Sequence, residues 1–422
     1  MILPRRRAPM PRLLRSWWLA LALSAFSAAA LAAEPLKLGF GMALTGPLAG
    51  TGRAALLATE MWAADQNARG GLLGRPIELV YYDDQSNGAT VPGLYSKLLD
   101  IDKVDLIVSG YATNMIAPLV PIAMQRGLVL MSLFGLAVNQ QFHYDRYFQI
   151  VPSGDDPAHE FSQGYIELAA SMAPPPRTIA LVGADAEFGR IALEGARDNA
   201  EKRGLKVVYS QRYPPGSVDF APVIRAIQAA EPDIVYVASY PGDTVGIIRA
   251  ANEARLKARM FGGGMIGLQY AAVKQQLGPL LNGIVYWDVY VPSPTMNFPG
   301  LADFLAGYQT KASAAGADPL GFYTPPYAYA RLQVLAQAIE AVKSLDQAAI
   351  AAYLHKTRFS TVVGDITFGE SGEPSDPRAL FVQYRGIAGN DLEQFKRPGT
   401  QVILYPPAYK SGDFAYPYGG QN

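Results

Sequence analysis

Apolar residues alternate with polar or small ones over residues 36–42 (LKLGFGM), placing Leu36, Leu38 and Phe40 on one face. A period of two predicts a strand. From residue 50 the period changes, and Ala54, Leu57, Ala58 and Met61 share one side of a helix over 50–67. Between the two lies the turn Thr45-Gly46-Pro47, followed by Gly50 and Gly52. A strand, a glycine-rich turn and a helix form the opening unit of an α/β domain. Strands are predicted next at 77–82, 106–108 and 128–131, with helices at 91–103 and 115–126. After Pro152-Ser153-Gly154-Asp155-Asp156-Pro157, a linker or hinge, a second series begins. Its strands are predicted at 178–182, 206–212, 234–238 and 260–261, each leading into a glycine-bearing turn or a helix. Such spacing implies parallel pairing and right-handed crossovers. A strand at 283–289, helices at 299–314, 325–344 and 347–356, and strand-like segments at 361–368 and 379–384 complete the pattern. The tail, 406–422, is rich in Tyr, Pro and Gly and is expected to wrap the surface or stay loose.

With 422 residues, half of them hydrophobic, the chain is long enough for two lobes. Residues 1–33 stand apart. Arg5, Arg6, Arg7, Arg12 and Arg15 precede an uncharged apolar run that ends in AAALAA. A basic stretch, an apolar core and a small-residue site predict a secretory signal, cleaved near Ala32 or Ala33. The run from Trp17 is short for a membrane span of ~20 residues. Arg6-Arg7 resembles a twin-arginine pair, but the Ala-Pro-Met that follows favours the general secretory route. Without the leader, 31 Lys+Arg face 36 Asp+Glu, a net charge of −5 that disfavours nucleic acid as a partner. The chain has no cysteine, so a lipid-anchor Cys and a thiol nucleophile are both excluded. No later segment is long and apolar enough to suggest a membrane-embedded protein, and the product is expected free in the periplasm.

Catalytic motifs are missing. No G-x-S-x-G, H-E-x-x-H or G-x-x-x-x-G-K-[ST] occurs, and His143, His159 and His355 lack metal-like spacing. Gly262-x-Gly264-x-x-Gly267 matches a dinucleotide motif by letter, but it follows too short a strand to bind one. Asp83-Asp84 has the form of a metal pair, yet such pairs more often cap a helix or hold loop amides. Neither an enzyme nor a cofactor is expected. What remains is six strand-to-helix turns: 44–51, 109–114 and 132–136 in the first series, and 184–189, 239–244 and 263–267 in the second. Parallel sheets place such turns along one edge, and two facing edges make a cleft. Tyr111, Phe134, Phe188 and Tyr240 lie in those turns, beside backbone N–H groups suited to a carboxylate.

The opening LKLGFGMALTGPLAGTG, the run Asn67-Ala68-Arg69-Gly70-Gly71-Leu72-Leu73-Gly74 with the strand behind it, and Asp185–Gly189 before a long helix together resemble one family. It is the leucine/isoleucine/valine-binding group of periplasmic substrate-binding proteins that serve ABC importers. The resemblance implies the α/β type I periplasmic binding fold, two Rossmann-like lobes with parallel central sheets joined by a three-segment hinge. It assigns 36–152 plus 291–369 to one lobe and 153–290 plus 370–405 to the other. It also implies a small-molecule ligand held between the lobes and an ABC permease as partner. Site residues carry over by position. Thr113 supplies a hydroxyl to a ligand carboxylate, with Tyr111, Ala112 and Asn114 around it, and Phe134 and Gly135 come from the next turn. Asp155 or Asp156 would meet an amino group. Phe188 and Tyr240 supply rings, Thr51 reaches in from the opening turn, and Gly264 and Met265 occupy a turn where amino-acid binders carry Glu. A buried ammonium needs a carboxylate partner. The missing Glu therefore favours an apolar or aromatic acid over a branched-chain amino acid. Amides and other small polar solutes, or a module serving a sensor, are the alternatives.

Overall fold

A computed structural model describes residues 33–419; the predicted leader, save its last residue, lies outside them. β1 (Leu36–Met42), β2 (Ile77–Asp83), β3 (Leu106–Tyr111), β4 (Leu130–Leu133) and β5 (Tyr147–Gln149) form a sheet in the order β2-β1-β3-β4-β5, all parallel. One face is covered by helices Ala49–Ala68 and Thr324–Val342, which pack on each other. The other face carries Val91–Asp100 and Val120–Arg126 around a separate apolar cluster of Tyr95, Leu98, Leu119 and Val120. Gly52 sets how closely the first helix approaches β1, since a Cβ there would strike the Ala43 carbonyl. Asp83 holds the opening turn, its carboxylate accepting from the Thr45 hydroxyl at 2.6 Å and the Leu44 N–H at 3.0 Å. Asp83 thus acts on loop amides, the simpler of the two roles open to it.

β6 (Thr178–Ala184), β7 (Lys206–Tyr213), β8 (Ile234–Ser239), β9 (Met260–Met265) and β10 (Val285–Asp288) run parallel in a second sheet. β11 (Phe359–Thr361) and β12 (Gly364–Ile366) form a small hairpin of their own, where one strand-like segment was expected. β13 (Leu380–Tyr384) and β14 (Gln401–Tyr405) return to the second sheet antiparallel, giving β14-β13-β10-β9-β8-β6-β7. Every residue of the interior strand β8 is buried, as a largely apolar run covered on both faces requires. The chain passes between the halves at 150–156, 289–300 and 367–379, as the strand order and helix packing show. The tail is partly anchored: Tyr418 packs on Phe261 and its N–H donates to the Arg259 carbonyl at 3.0 Å.

β9 corrects the sequence reading. It continues through Gly262, Gly263 and Gly264 to Met265, so the glycines belong to a strand and not to a turn. A Cβ at Gly262 would strike the Val285 carbonyl, and one at Gly264 would lie 2.6 Å from Phe161. The glycines admit close neighbours on both sides, which accounts for the run without any nucleotide.

Candidate functional site

In each sheet the strand order reverses at one place, between β1 and β3 in the first and between β6 and β8 in the second. Such switch points are where open α/β sheets leave a crevice. The two crevices face each other across a small cavity of about 40 Å³. That suits a compact ligand. The first half contributes Tyr111 at the end of β3, Ala112 and Thr113 just after it, and Phe134, Gly135 and Leu136 after β4. The second contributes Phe188, Tyr240, Ile266 and Trp287.

The wall is a connected shell of rings. Phe134 meets Tyr323 at 4.5 Å and Tyr327 at 5.5 Å between centroids, both edge to face. Phe161 meets Trp287 at 4.9 Å and Phe188 at 5.5 Å, and Phe188 meets Tyr240 at 5.3 Å. Edge-to-face pairs add about 0.5–1.5 kcal/mol each beyond their burial. Seven of the fifteen lining residues are aromatic, and none of the fifteen carries a charged side chain.

Polar groups are few and specific. The Thr113 hydroxyl accepts from the Leu136 N–H at 3.0 Å, leaving its own hydrogen available to donate. Thr113 and Asn114 open a helical turn, where the helix itself offers their N–H groups no acceptor. Gln149 is committed to the scaffold: its carbonyl accepts from the Phe134 and Ile150 N–H groups and its amide donates to the Gly135 carbonyl. The Tyr240 hydroxyl and the Trp287 Nε1–H are buried without partners among the described residues. Burial pushes the Tyr240 phenol up, so it stays protonated and able to donate. Two non-glycine residues of the wall have left-handed backbone, Ala112 at φ +84° and Phe134 at φ +63°. Each such position costs about 1–3 kcal/mol and persists only where surrounding contacts hold it, often at ligand clamps.

Of the residues expected from sequence, Tyr111, Ala112, Thr113, Phe134, Gly135, Phe188 and Tyr240 line the cavity. Six do not. The Thr51 hydroxyl bonds to the Tyr270 hydroxyl from the other half. The Asn114 side-chain Oδ1 accepts from the Phe188 N–H at 3.3 Å, again across the cleft. Asp155 is exposed and lies against Gly369. Asp156 is exposed and accepts from Gln140 while bonding His159 at 2.8 Å. Gly264 and Met265 are consumed by β9, Gly264 lying against Phe161, which leaves Ile266 to reach the cavity. Sequence reasoning missed Phe161, Trp287 and Tyr323. Trp287 and Tyr323 do lie within apolar, aromatic runs (IVYWDVYV and GFYTPPY) that could have flagged them.

The sequence profile described as periplasmic binding protein matches residues 35–387. A Leu/Ile/Val-binding protein homolog of Brucella abortus is 26% identical over 416 residues, covering 94% of this chain and 98% of its own. Among solved structures, an R. palustris solute-binding protein of an ABC transporter in complex with benzoate has a TM-score of 0.72 at 18% identity, covering 90% of this chain and 98% of its own. A branched-chain amino acid transporter substrate-binding protein of Streptococcus pneumoniae, in complex with isoleucine, has a TM-score of 0.71 at 18% identity, covering 88% and 100%. The family profile spans most of the chain, and the chain belongs to the periplasmic binding protein family.

Proposed function

We propose that the protein is an extracytoplasmic receptor that captures a small carboxylate with an aromatic or apolar body and delivers it to an ABC permease. The observation that carries this reading is the cavity wall, which is rich in rings, holds free hydrogen-bond donors and has no ionised side chain. An α-amino acid would bring an ammonium into that wall, and Asp155 and Asp156, the acids expected to meet it, are exposed elsewhere. A carboxylate can instead be held by neutral donors, since hydrogen bonds to an anion are about twice as strong as neutral ones. Thr113, through its hydroxyl and N–H, the Gly135 N–H and Trp287 supply them; Phe161, Phe188 and Tyr240 flank the body. Residues 36–152 with 291–369, and 153–290 with 370–405, close as lobes about the three crossings. After leader cleavage the protein is free in the periplasm. The benzoate-bound neighbour supports the ligand class. The names of the relatives favour a second reading, a branched-chain amino acid.

A thermal-shift panel of benzoate, short-chain carboxylates, benzamide, leucine and valine decides between them. A ligand at ~100 times its Kd adds about 2.7 kcal/mol of stability. Stabilisation by benzoate and not by leucine is expected. The reverse result would replace this reading with the second.

A further inference from the structure

Helix Thr324–Val342 begins at the cavity and runs away from it beneath the first sheet. Tyr323, just before it, lines the cavity, and Tyr327 packs edge-on to Phe134. Arg331, at the same helical spacing one turn further, is fully buried. Its Nη1 donates to the Ser109 carbonyl of β3 at 2.7 Å, while Nε and Nη2 have no partner among the described residues. Arg331 forms no ion pair among the described residues. The buried carboxylate of Asp84 packs against Gly110 of β3, and the Tyr95 phenol lies close enough to act on Arg331. A buried cation without a counter-charge is costly and leaves a positive potential in the surrounding interior.

We propose that Arg331 sets the cavity's preference for anions, a fixed charge behind the aromatic wall that acts on the ligand's carboxylate through the protein interior and not by contact. The proposal rests on the reading of the cavity as a carboxylate site. Arg331 lies about 12 Å along the helix axis from Tyr323. A unit charge at about that distance, with an effective dielectric near ~20, changes anion affinity about ten-fold. A neutral ligand of the same shape is unaffected. The other groups on this helix stripe, Tyr323 and Tyr327, are kept neutral because burial pushes their phenols up.

The test is the ratio of benzoate to benzamide affinity, measured by calorimetry on the whole protein with Arg331→Gln and Arg331→Lys. Gln keeps a donor for the Ser109 carbonyl and removes the charge; Lys keeps the charge and loses the guanidinium fork. The ratio should fall about ten-fold in Arg331→Gln and stay near the native value in Arg331→Lys, with benzamide binding alike in all three. A ratio unchanged in Arg331→Gln overturns the proposal and leaves the carboxylate site standing, as does an equal loss for both probes, which marks a structural role. A native protein that binds leucine and neither probe overturns the site reading and this proposal with it.

Discussion

Thr113 and Ala112 are adjacent, yet they answer different questions about the site. The Thr113 hydroxyl accepts a scaffold hydrogen bond and still has a hydrogen to give. A hydrogen bond to a charged group contributes about 1.5–3 kcal/mol. Thr113→Ala is therefore expected to weaken benzoate binding at least about ten-fold, and Thr113→Ser to retain it. Equal affinity for the Ala variant in a calorimetric titration would remove Thr113 from the site. Ala112 tests the backbone instead. Its φ of +84° and ψ of 145° suit glycine, so Ala112→Gly should stabilise the unliganded protein by about 1 kcal/mol in denaturant titration. Destabilisation would mean that the Ala112 methyl packs well enough to outweigh the strain.

Several residues outside the cavity wall join one half to the other. The Thr51 and Tyr270 hydroxyls meet, the Tyr270 hydroxyl lies 3.4 Å from that of Tyr111, and Asp318 accepts from the Ala271 N–H at 2.8 Å. If the lobes close on ligand as proposed, these contacts favour the closed arrangement before any ligand enters, and ligand affinity depends on how much of that arrangement is populated. Tyr270→Phe removes a net hydrogen bond of about 1 kcal/mol from the closed form. The expected result is up to about five-fold weaker binding together with a larger radius of gyration for the unliganded protein in solution scattering. If neither changes, the hydroxyl bridge does not govern closure. These elements also show what periodicity can and cannot reveal. The alternation of strand and helix was legible through both series, because each crossover repeats one local pattern. The turn after β9 was misplaced, since three glycines in a row read as loop until the neighbours that need their missing side chains are known. Phe161 lies in a helix that the sequence reading left unassigned. Trp287 sits in a buried run where either face could point inward. Tyr323 reaches Phe134 only once the chain has crossed between the sheets twice.

Taken over the whole molecule, the buried acids set a pH dependence. Burial raises the carboxyls of Asp84 and Asp288 to about 6 and pushes Glu373 well above its ordinary value, with the Asp155 charge adding to the last. Near Asp288, Lys274 pulls the other way but does not cancel the effect of burial. A carboxyl whose folded pKa is raised favours the folded state while both states are protonated. That stability is fully present below the unfolded value of about 4 and is lost as pH rises through about 6. His159 acts in the same sense at higher pH: its hydrogen bond to Asp156, assisted by Asp198, raises it, so its contribution is lost above its usual value. The partly exposed geometry makes that part small. Asp83 and Asp233 oppose the trend only below pH about 4: against some burial, hydrogen bonds hold both below the usual range, so their contribution disappears on acidification. The melting temperature should therefore be highest near pH 4–5 and fall toward pH 7. Asp84→Asn keeps an oxygen for the Ser86 N–H at 2.8 Å while removing the titration. It should flatten the profile between pH 4 and 6, with its largest gain over the native protein at neutral pH. A native melting temperature that rises steadily from pH 4 to 7 would show that these buried acids are ionised in the fold at little cost.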